Sequence, residues 1–191
     1  MPMIVTDKLN NVFETLKDAF GYTNPMAAPG LEKIVINVGT GKRSRNDRKW
    51  NDLVQDRLAT ITGQRSSIRM ARQSIAGFKL REGEPVGQMV TLRGKRMKGF
   101  LEKLIHIAFP RTKDFRGIKR SSVDSMGNLT IGIKEHTIFP EVTDEEISNV
   151  FGMSITLVST TPNQDEAMKF FEHLGIPFQK EEESVAKKAK K

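Results

Sequence analysis

Leu31-Glu32-Lys33-Ile34-Val35-Ile36-Asn37-Val38-Gly39 is the stretch on which the fold turns. Ile34, Ile36 and Val38 point one way, while Lys33, Val35 and Asn37 point the other. That two-residue period belongs to a strand with one buried face and one mixed outer face. Downstream, residues 39–45 form a glycine-punctuated basic loop. Trp50, Leu53, Val54, Leu58 and Ile61 then recur at helical spacing, and Gly63 ends the helix. Residues 66–72 read as a short strand with Ile68 and Met70 alternating against Arg69 and Arg72. Residues 73–87, with Gly77, Gly83, Pro85 and Gly87, read as a long exposed loop. Residues 88–93 return to strand, with Val90 and Leu92 inward and Met89, Thr91 and Arg93 outward.

Residues 95–108 predict a helix whose buried face is Met97, Phe100, Leu101, Leu104, Ile105 and Ala108, and Pro110 is expected to stop it. A second basic loop spans 111–120, centred on Asp114-Phe115-Arg116-Gly117. Val123 and the run Leu129, Ile131, Ile133 flank a hairpin turn at Met126-Gly127-Asn128. Residues 138–147 form a polar connection, 153–160 a strand, and Thr161-Pro162 opens a last helix carrying Ala167, Phe170, Phe171 and Leu174. Upstream, Asp7 can cap a helix over 8–20 with the stripe Leu9, Val12, Phe13 and Leu16, and Gly21 stops it.

Strands and helices mix without a regular βαβ repeat. The expected fold is α+β, an antiparallel sheet with helices packed on one face and long basic loops. Residues 1–179 make one domain, of which 1–30 are the N-terminal helix and lead-in loop. The charged tail 180–191 is expected to be disordered.

The net charge is +8 with a pI near 9.8. Residues 41–120 carry 21 Lys and Arg against 7 Asp and Glu, so the basic excess sits in the middle of the chain and the rest is net acidic. An excess spread over several elements fits a polyphosphate-binding surface better than a solvated face. There is no cysteine, which removes disulfides, thiolate catalysis and thiolate metal sites. No apolar run approaches the ~18 residues of a membrane span, and the start lacks a signal peptide's pattern. The expectation is a cytoplasmic protein with no membrane partner.

Val38-Gly39-Thr40-Gly41-Lys42-Arg43 imitates a phosphate-binding P-loop. The full pattern needs glycine where Ile36 stands and a hydroxyl residue where Arg43 stands, so nucleotide hydrolysis is not supported. Lys42, Arg43 and Arg45 suit a mobile basic loop on RNA phosphates instead. His106, His136 and His173 lie far apart without metal-ligand spacing, and Glu141, Asp144, Glu145 and Glu146 have no nearby nucleophile. No catalytic residue, metal, cofactor or small-molecule substrate is expected. In the loop 71–83, Ile75 and Phe78 interleave with Arg72, Lys79 and Arg81. Composition leaves two readings open: an exposed nucleic-acid-binding loop, or one folded back with both apolar residues in the core.

Six motifs occur in one order. They are the opening stretch, Ile61-Thr62-Gly63-Gln64, Ser74-Ile75-Ala76-Gly77-Phe78-Lys79-Leu80-Arg81-Glu82-Gly83, Val90-Thr91-Leu92-Arg93-Gly94, Asp114-Phe115-Arg116-Gly117, and Gly132-Ile133-Lys134-Glu135 with Ile138-Phe139-Pro140-Glu141. Together they resemble the bacterial-type large-subunit ribosomal protein L-five family, from about residue 5 to Phe178. Members of that family bind 5S ribosomal RNA, help attach it in the central protuberance, and touch the large ribosomal RNA. The resemblance implies a non-enzymatic constituent of the large ribosomal subunit. It assigns Asn37, Gln64, Arg65, Thr91 and Arg93 to 5S RNA. It assigns the loop with Arg72, Ser74, Ile75, Phe78, Lys79 and Arg81 to transfer RNA in the peptidyl site. Arg111, Asp114, Phe115 and Arg116, with the region after Lys134, would meet a small-subunit protein across an intersubunit bridge. Ser67, Arg69, Met70, Gln73 and His136 depart from the family's usual residues.

Overall fold

The computed structural model describes residues 5–44, 47, 49–113, 115–142 and 149–179. Arg45, Asp114, the acidic residues 144–146 and the tail 180–191 lie outside them. Five strands form one antiparallel sheet: β1 (Leu31–Gly39), β2 (Ser67–Met70), β3 (Pro85–Leu92), β4 (Leu129–Ile133) and β5 (Met153–Ser159). Their order is β2-β3-β1-β5-β4. β1 is therefore central, and its alternation puts Ile34, Ile36 and Val38 on one buried face. Register puts Ile34 opposite Leu92 and Leu157, and Ile36 opposite Val90 and Ile155. Leu129, Ile131 and Ile133 extend the same apolar face along β4.

Four principal helices cover that face: α1 (Val5–Asn10), α4 (Lys49–Thr62), α5 (Gly94–Lys103) and α7 (Gln164–Leu174). The last three contribute Trp50, Val54, Leu58 and Ile61, then Met97, Phe100 and Leu101, and finally Ala167, Phe170, Phe171 and Leu174, all buried as their spacing predicts. Such burial is the main stabilising term, at about 1.5–3 kcal/mol for each large apolar side chain taken out of water. The helices α2 (Val12–Phe20), α3 (Gly41–Ser44) and α6 (Phe109–Arg111) complete the set. None of the helices among the described residues is long and apolar enough to cross a membrane.

Five expectations need correction. The single helix over 8–20 is two helices, broken at Asn11, and Asp7 lies inside α1 with its carbonyl accepting the Asn11 N–H. The break lets α1 pack between α5 and α7 while α2 turns onto α7. The basic loop 39–45 is mostly ordered: Gly39 ends β1 and Gly41–Ser44 makes a helical turn. The long loop is shorter than expected, because Pro85–Gly87 belong to β3. Pro110 does not stop its helix at once. A wider π turn over Leu104–Ala108, in which the Phe109 N–H reaches the Leu104 carbonyl, carries the chain through one more turn to Arg111. Finally, the connection after Ile138 is not polar throughout, since Ile138, Phe139 and Val142 are buried in the core.

Candidate nucleic-acid interface

The face of the sheet opposite the helices is open. Period-two alternation sends Asn37, Thr91, Thr130 and Thr156 to that side, and all are half-buried or exposed. One row across it runs Ser67, Met89, Asn37, Ser154, Gly132, and the next runs Thr91, Val35, Thr156, Thr130. These are small, mostly uncharged side chains, so a ribose or base edge can approach closely and find hydroxyl and amide partners. The cations stand at the rim: Lys33 and Arg69 on the strands, Arg93 just past the end of β3, and Arg65 just beyond α4.

Sequence reading grouped Gln64 and Arg65 with the strand residues, and the chain does bring them together. Gly63, at φ 68°, ends α4 with its N–H on the Ala59 carbonyl and turns Gln64 toward β3. Gln64 Nε2 then donates to the Thr91 carbonyl at 3.2 Å. Arg65 Nη2 donates to Gln55 Oε1 at 3.2 Å. Arg93 is exposed but not idle, with Nη1 3.1 Å from Glu32 Oε1. The Arg93 hydrogen bond, with Lys33 at 3.5 Å adding its charge, holds the Glu32 carboxyl below the usual carboxylate range.

A buried polar chain supports this corner, and the periodicity did not single it out. Gln88 faces inward on β3, accepting from Ser66 Oγ and donating to the Asn51 carbonyl. Asn51 Nδ2 donates in turn to Ser44 Oγ at 2.6 Å. A glutamine at an inward strand position is the one available signal: such a group is tolerated only with partners. The chain ties α3, α4 and the start of β2 to β3, which fixes where Gln64 and Arg65 emerge.

Lys42 is exposed. Arg43 is held rather than mobile: its guanidinium lies 4.7 Å from the Trp50 ring centre, and Nη1 donates to the Val150 carbonyl at 3.2 Å.

The segment 71–84 is an ordered finger. Its base is closed by Ala71 N–H to the Glu84 carbonyl at 2.8 Å and Gly83 N–H to the Ala71 carbonyl at 3.0 Å. Nearer the tip, Ile75 and Leu80 exchange two backbone bonds, and Ser74 Oγ accepts the Glu82 N–H. Lys79 takes a left-handed φ of 49°, which a non-glycine residue adopts at some cost. This geometry holds Phe78 outward at 69% exposure and Ile75 at 44%, so the reading that buries them in the core is excluded. Arg72, Lys79 and Arg81 are exposed around them.

The basic loop after α6 lies at the far end of the sheet, beside β4. Phe115 is half-buried and stacks on Phe109, with ring centres 5.2 Å apart, while Arg111 and Arg116 are exposed. Among the histidines, His136 is fully buried, stacks on Phe151 and accepts the Phe151 N–H at Nδ1, 3.3 Å away. That departure serves the core. No group of His, Asp and Glu able to hold a metal occurs among the described residues.

Comparison with known proteins matches this arrangement twice over. A family model described as "Ribosomal protein L5" matches residues 24–81, and a second, for the C-terminus of that ribosomal family, matches residues 85–178. A relative from Rubrobacter xylanophilus is 48% identical over 167 residues, covering 87% of this chain and 92% of its own length. The chain belongs to the ribosomal protein L5 family. The Helicobacter hepaticus relative is also 48% identical, over 90% of this chain and 94% of its own. That from Dictyoglomus thermophilum is 44% identical, over 94% of this chain and all of its own. Each is named a large ribosomal subunit protein uL5. This is a structural family, not an enzymatic one. The two matches meet at the base of the finger, yet β3 from the second part pairs with β1 and β2 from the first. Both parts of the family pattern are therefore woven into one sheet.

Proposed function

We propose that this protein anchors 5S ribosomal RNA in the large ribosomal subunit through the open face of its sheet. The observation that carries this reading is the pair of uncharged, hydroxyl- and amide-bearing rows across the open sheet face, rimmed by Arg65, Arg69 and Arg93, with the principal helices on the other side. The rows supply register through hydroxyl and amide contacts to sugars and base edges. The rim and Lys42, with Arg45, supply phosphate affinity and release counterions. Family membership supports the partner, the large ribosomal RNA being a second one. The finger carrying Phe78 reaches peptidyl-site transfer RNA, its aromatic tip packing on a ribose or base while Arg72, Lys79 and Arg81 meet phosphates. Arg111, Asp114, Phe115 and Arg116 contact a small-subunit protein across the subunit interface.

The test is a titration with 5S ribosomal RNA at about 0.15 M salt, where exposed charges are screened beyond roughly 8 Å. Transfer RNA and an unrelated hairpin serve as competitors. Binding that survives both competitors supports the anchoring role. Binding that the unrelated hairpin removes equally well would leave only a cationic surface.

A further inference from the structure

Glu32 breaks the alternation of β1. The even-numbered residues Ile34, Ile36 and Val38 are buried under the helices, and strict alternation would send Glu32 there too. Pairing with β5 prevents it. Leu31 lies opposite Ser159 and Lys33 opposite Val158, so Glu32 is one extra residue, and a bulge of this kind re-aims a side chain. The carboxyl instead meets Lys33 and Arg93, which neighbour each other one step beyond the Ile34–Leu92 pair, on the open face. A carboxylate, 44% exposed, thus stands among the cations of the rim. Exposed pairs of this kind add little to stability, so the fold does not require it.

Both cations approach the same oxygen: Arg93 Nη1 is 3.1 Å and Lys33 Nζ 3.5 Å from Oε1. Among the described residues no hydrogen bond reaches Oε2. The Arg93 hydrogen bond first, and the Lys33 charge second, keep the group ionised. An ionised carboxylate only accepts hydrogen bonds. Phosphates have no donor to offer it, whereas ribose 2′-hydroxyls and base amino groups do. Oε2 is therefore repelled by one part of an RNA and matched to another, at a point on the rim two residues past Thr91.

We propose that Glu32 is a specificity-determining residue of the open face. Its free oxygen accepts a hydrogen bond from a ribose 2′-hydroxyl or base amino group of correctly seated RNA, and its charge rejects RNA that offers only phosphate there. This role presupposes the 5S-anchoring reading and deepens it. The rim cations attract any RNA, and Glu32 makes that attraction conditional on register.

The test sets the full chain against Glu32→Gln, Glu32→Ala, Arg93→Ala and the Glu32→Gln/Arg93→Ala double variant. Each is titrated separately with 5S ribosomal RNA and with the unrelated hairpin at about 0.15 M salt. Glu32→Gln keeps an acceptor oxygen but loses the charge. It should raise hairpin affinity about tenfold and 5S affinity about twofold, so the preference for 5S falls roughly fivefold. Glu32→Ala, which also loses the acceptor, should raise hairpin affinity equally and leave 5S binding no tighter than wild type. In the Arg93→Ala background Glu32→Gln should still strengthen hairpin binding, because the carboxylate itself repels phosphate. 5S transcripts with scattered 2′-deoxy substitutions tell the two donors apart. A position that weakens wild type but not Glu32→Ala marks a ribose, and identical maps with a lowered preference mark a base amino group. An unchanged 5S-to-hairpin ratio in Glu32→Gln would overturn this role of Glu32, while a wild-type preference for 5S keeps the anchoring reading. Loss of the hairpin gain once Arg93 is gone would also overturn it, since Glu32 would then merely position Arg93. A wild type with no preference for 5S removes the anchoring reading and the role of Glu32 together.

Discussion

Arg93 Nη1 sits 3.1 Å from Glu32 Oε1, so a rim cation of the open sheet face already has a carboxylate before any RNA arrives. Binding a phosphate there exchanges one anion for another. Arg93→Ala should weaken 5S binding by about 1–3 kcal/mol, the range for a good bidentate contact. Glu32→Gln should act in the opposite direction, because it frees the guanidinium and removes a repelling charge. Filter-binding titrations of both variants check this, and an unchanged curve for Arg93→Ala would remove Arg93 from the interface. Because both side chains are exposed, neither change should move the urea midpoint measurably.

The finger separates two partners. Phe78→Ala removes the exposed ring without touching the sheet, so 5S affinity should stay within error while transfer-RNA engagement in assembled ribosomes falls. A loss of both together would mean the finger shapes the sheet face.

Gln88→Ala should be costly despite its modest size. It leaves the Ser66 hydroxyl buried without its partner and takes from the Asn51 carbonyl its bond beyond the helix, a penalty of about 1–3 kcal/mol for the stranded hydroxyl. Urea unfolding measures the stability loss. Weakened 5S binding at a concentration where the variant is still folded would confirm that the buried chain positions Gln64 and Arg65.

Acid should expose a different joint. Lys103 Nζ lies 2.6 Å from Glu141 Oε1 and also donates to the Ile61 carbonyl at 2.9 Å. Burial pushes the Glu141 carboxyl up, but bonds from Lys103 and a backbone N–H outweigh it and hold the group below the usual range. A lowered folded value means the stabilisation is complete above the unfolded value of about 4.3 and disappears as pH falls through the folded one. Lys103→Met should therefore cost roughly 1–3 kcal/mol at neutral pH. The variant should also lose less between pH 5 and about 3 than the parent does. Equal acid sensitivity in the two proteins would exclude this pair as its source.

Much of the sheet was legible because its inward positions alternate cleanly. Ile34, Ile36 and Val38 declare β1, and Phe170, Phe171 and Leu174 declare α7. What escaped depends on partners that no periodicity pairs. Nothing local says that Gln88 meets Ser66 and Asn51, that Arg43 lies on Trp50, or that a π turn carries a helix past Pro110. The finger's exposure was undecidable from composition, since a phenylalanine and an isoleucine fit a core as well as a tip. Ile75 and Leu80 settle it by pairing with each other, which leaves the ring between them nothing to pack against. The polar connection failed for the opposite reason: Ile138, Phe139 and Val142 are too few and too unevenly spaced to announce a buried segment.

The position of β1 at the centre of the sheet bears on how the protein is made. Ile34 pairs with Leu92 on one side but with Leu157 on the other. On a nascent chain the first partner emerges long before the second. For that interval the central strand has one satisfied edge and one bare edge flanked by apolar side chains, a template for wrong pairings. Closing the sheet must wait for the last strand, and pairings this remote in sequence form slowly. The vulnerable period in this protein's life therefore falls late in synthesis, and β5 ends it.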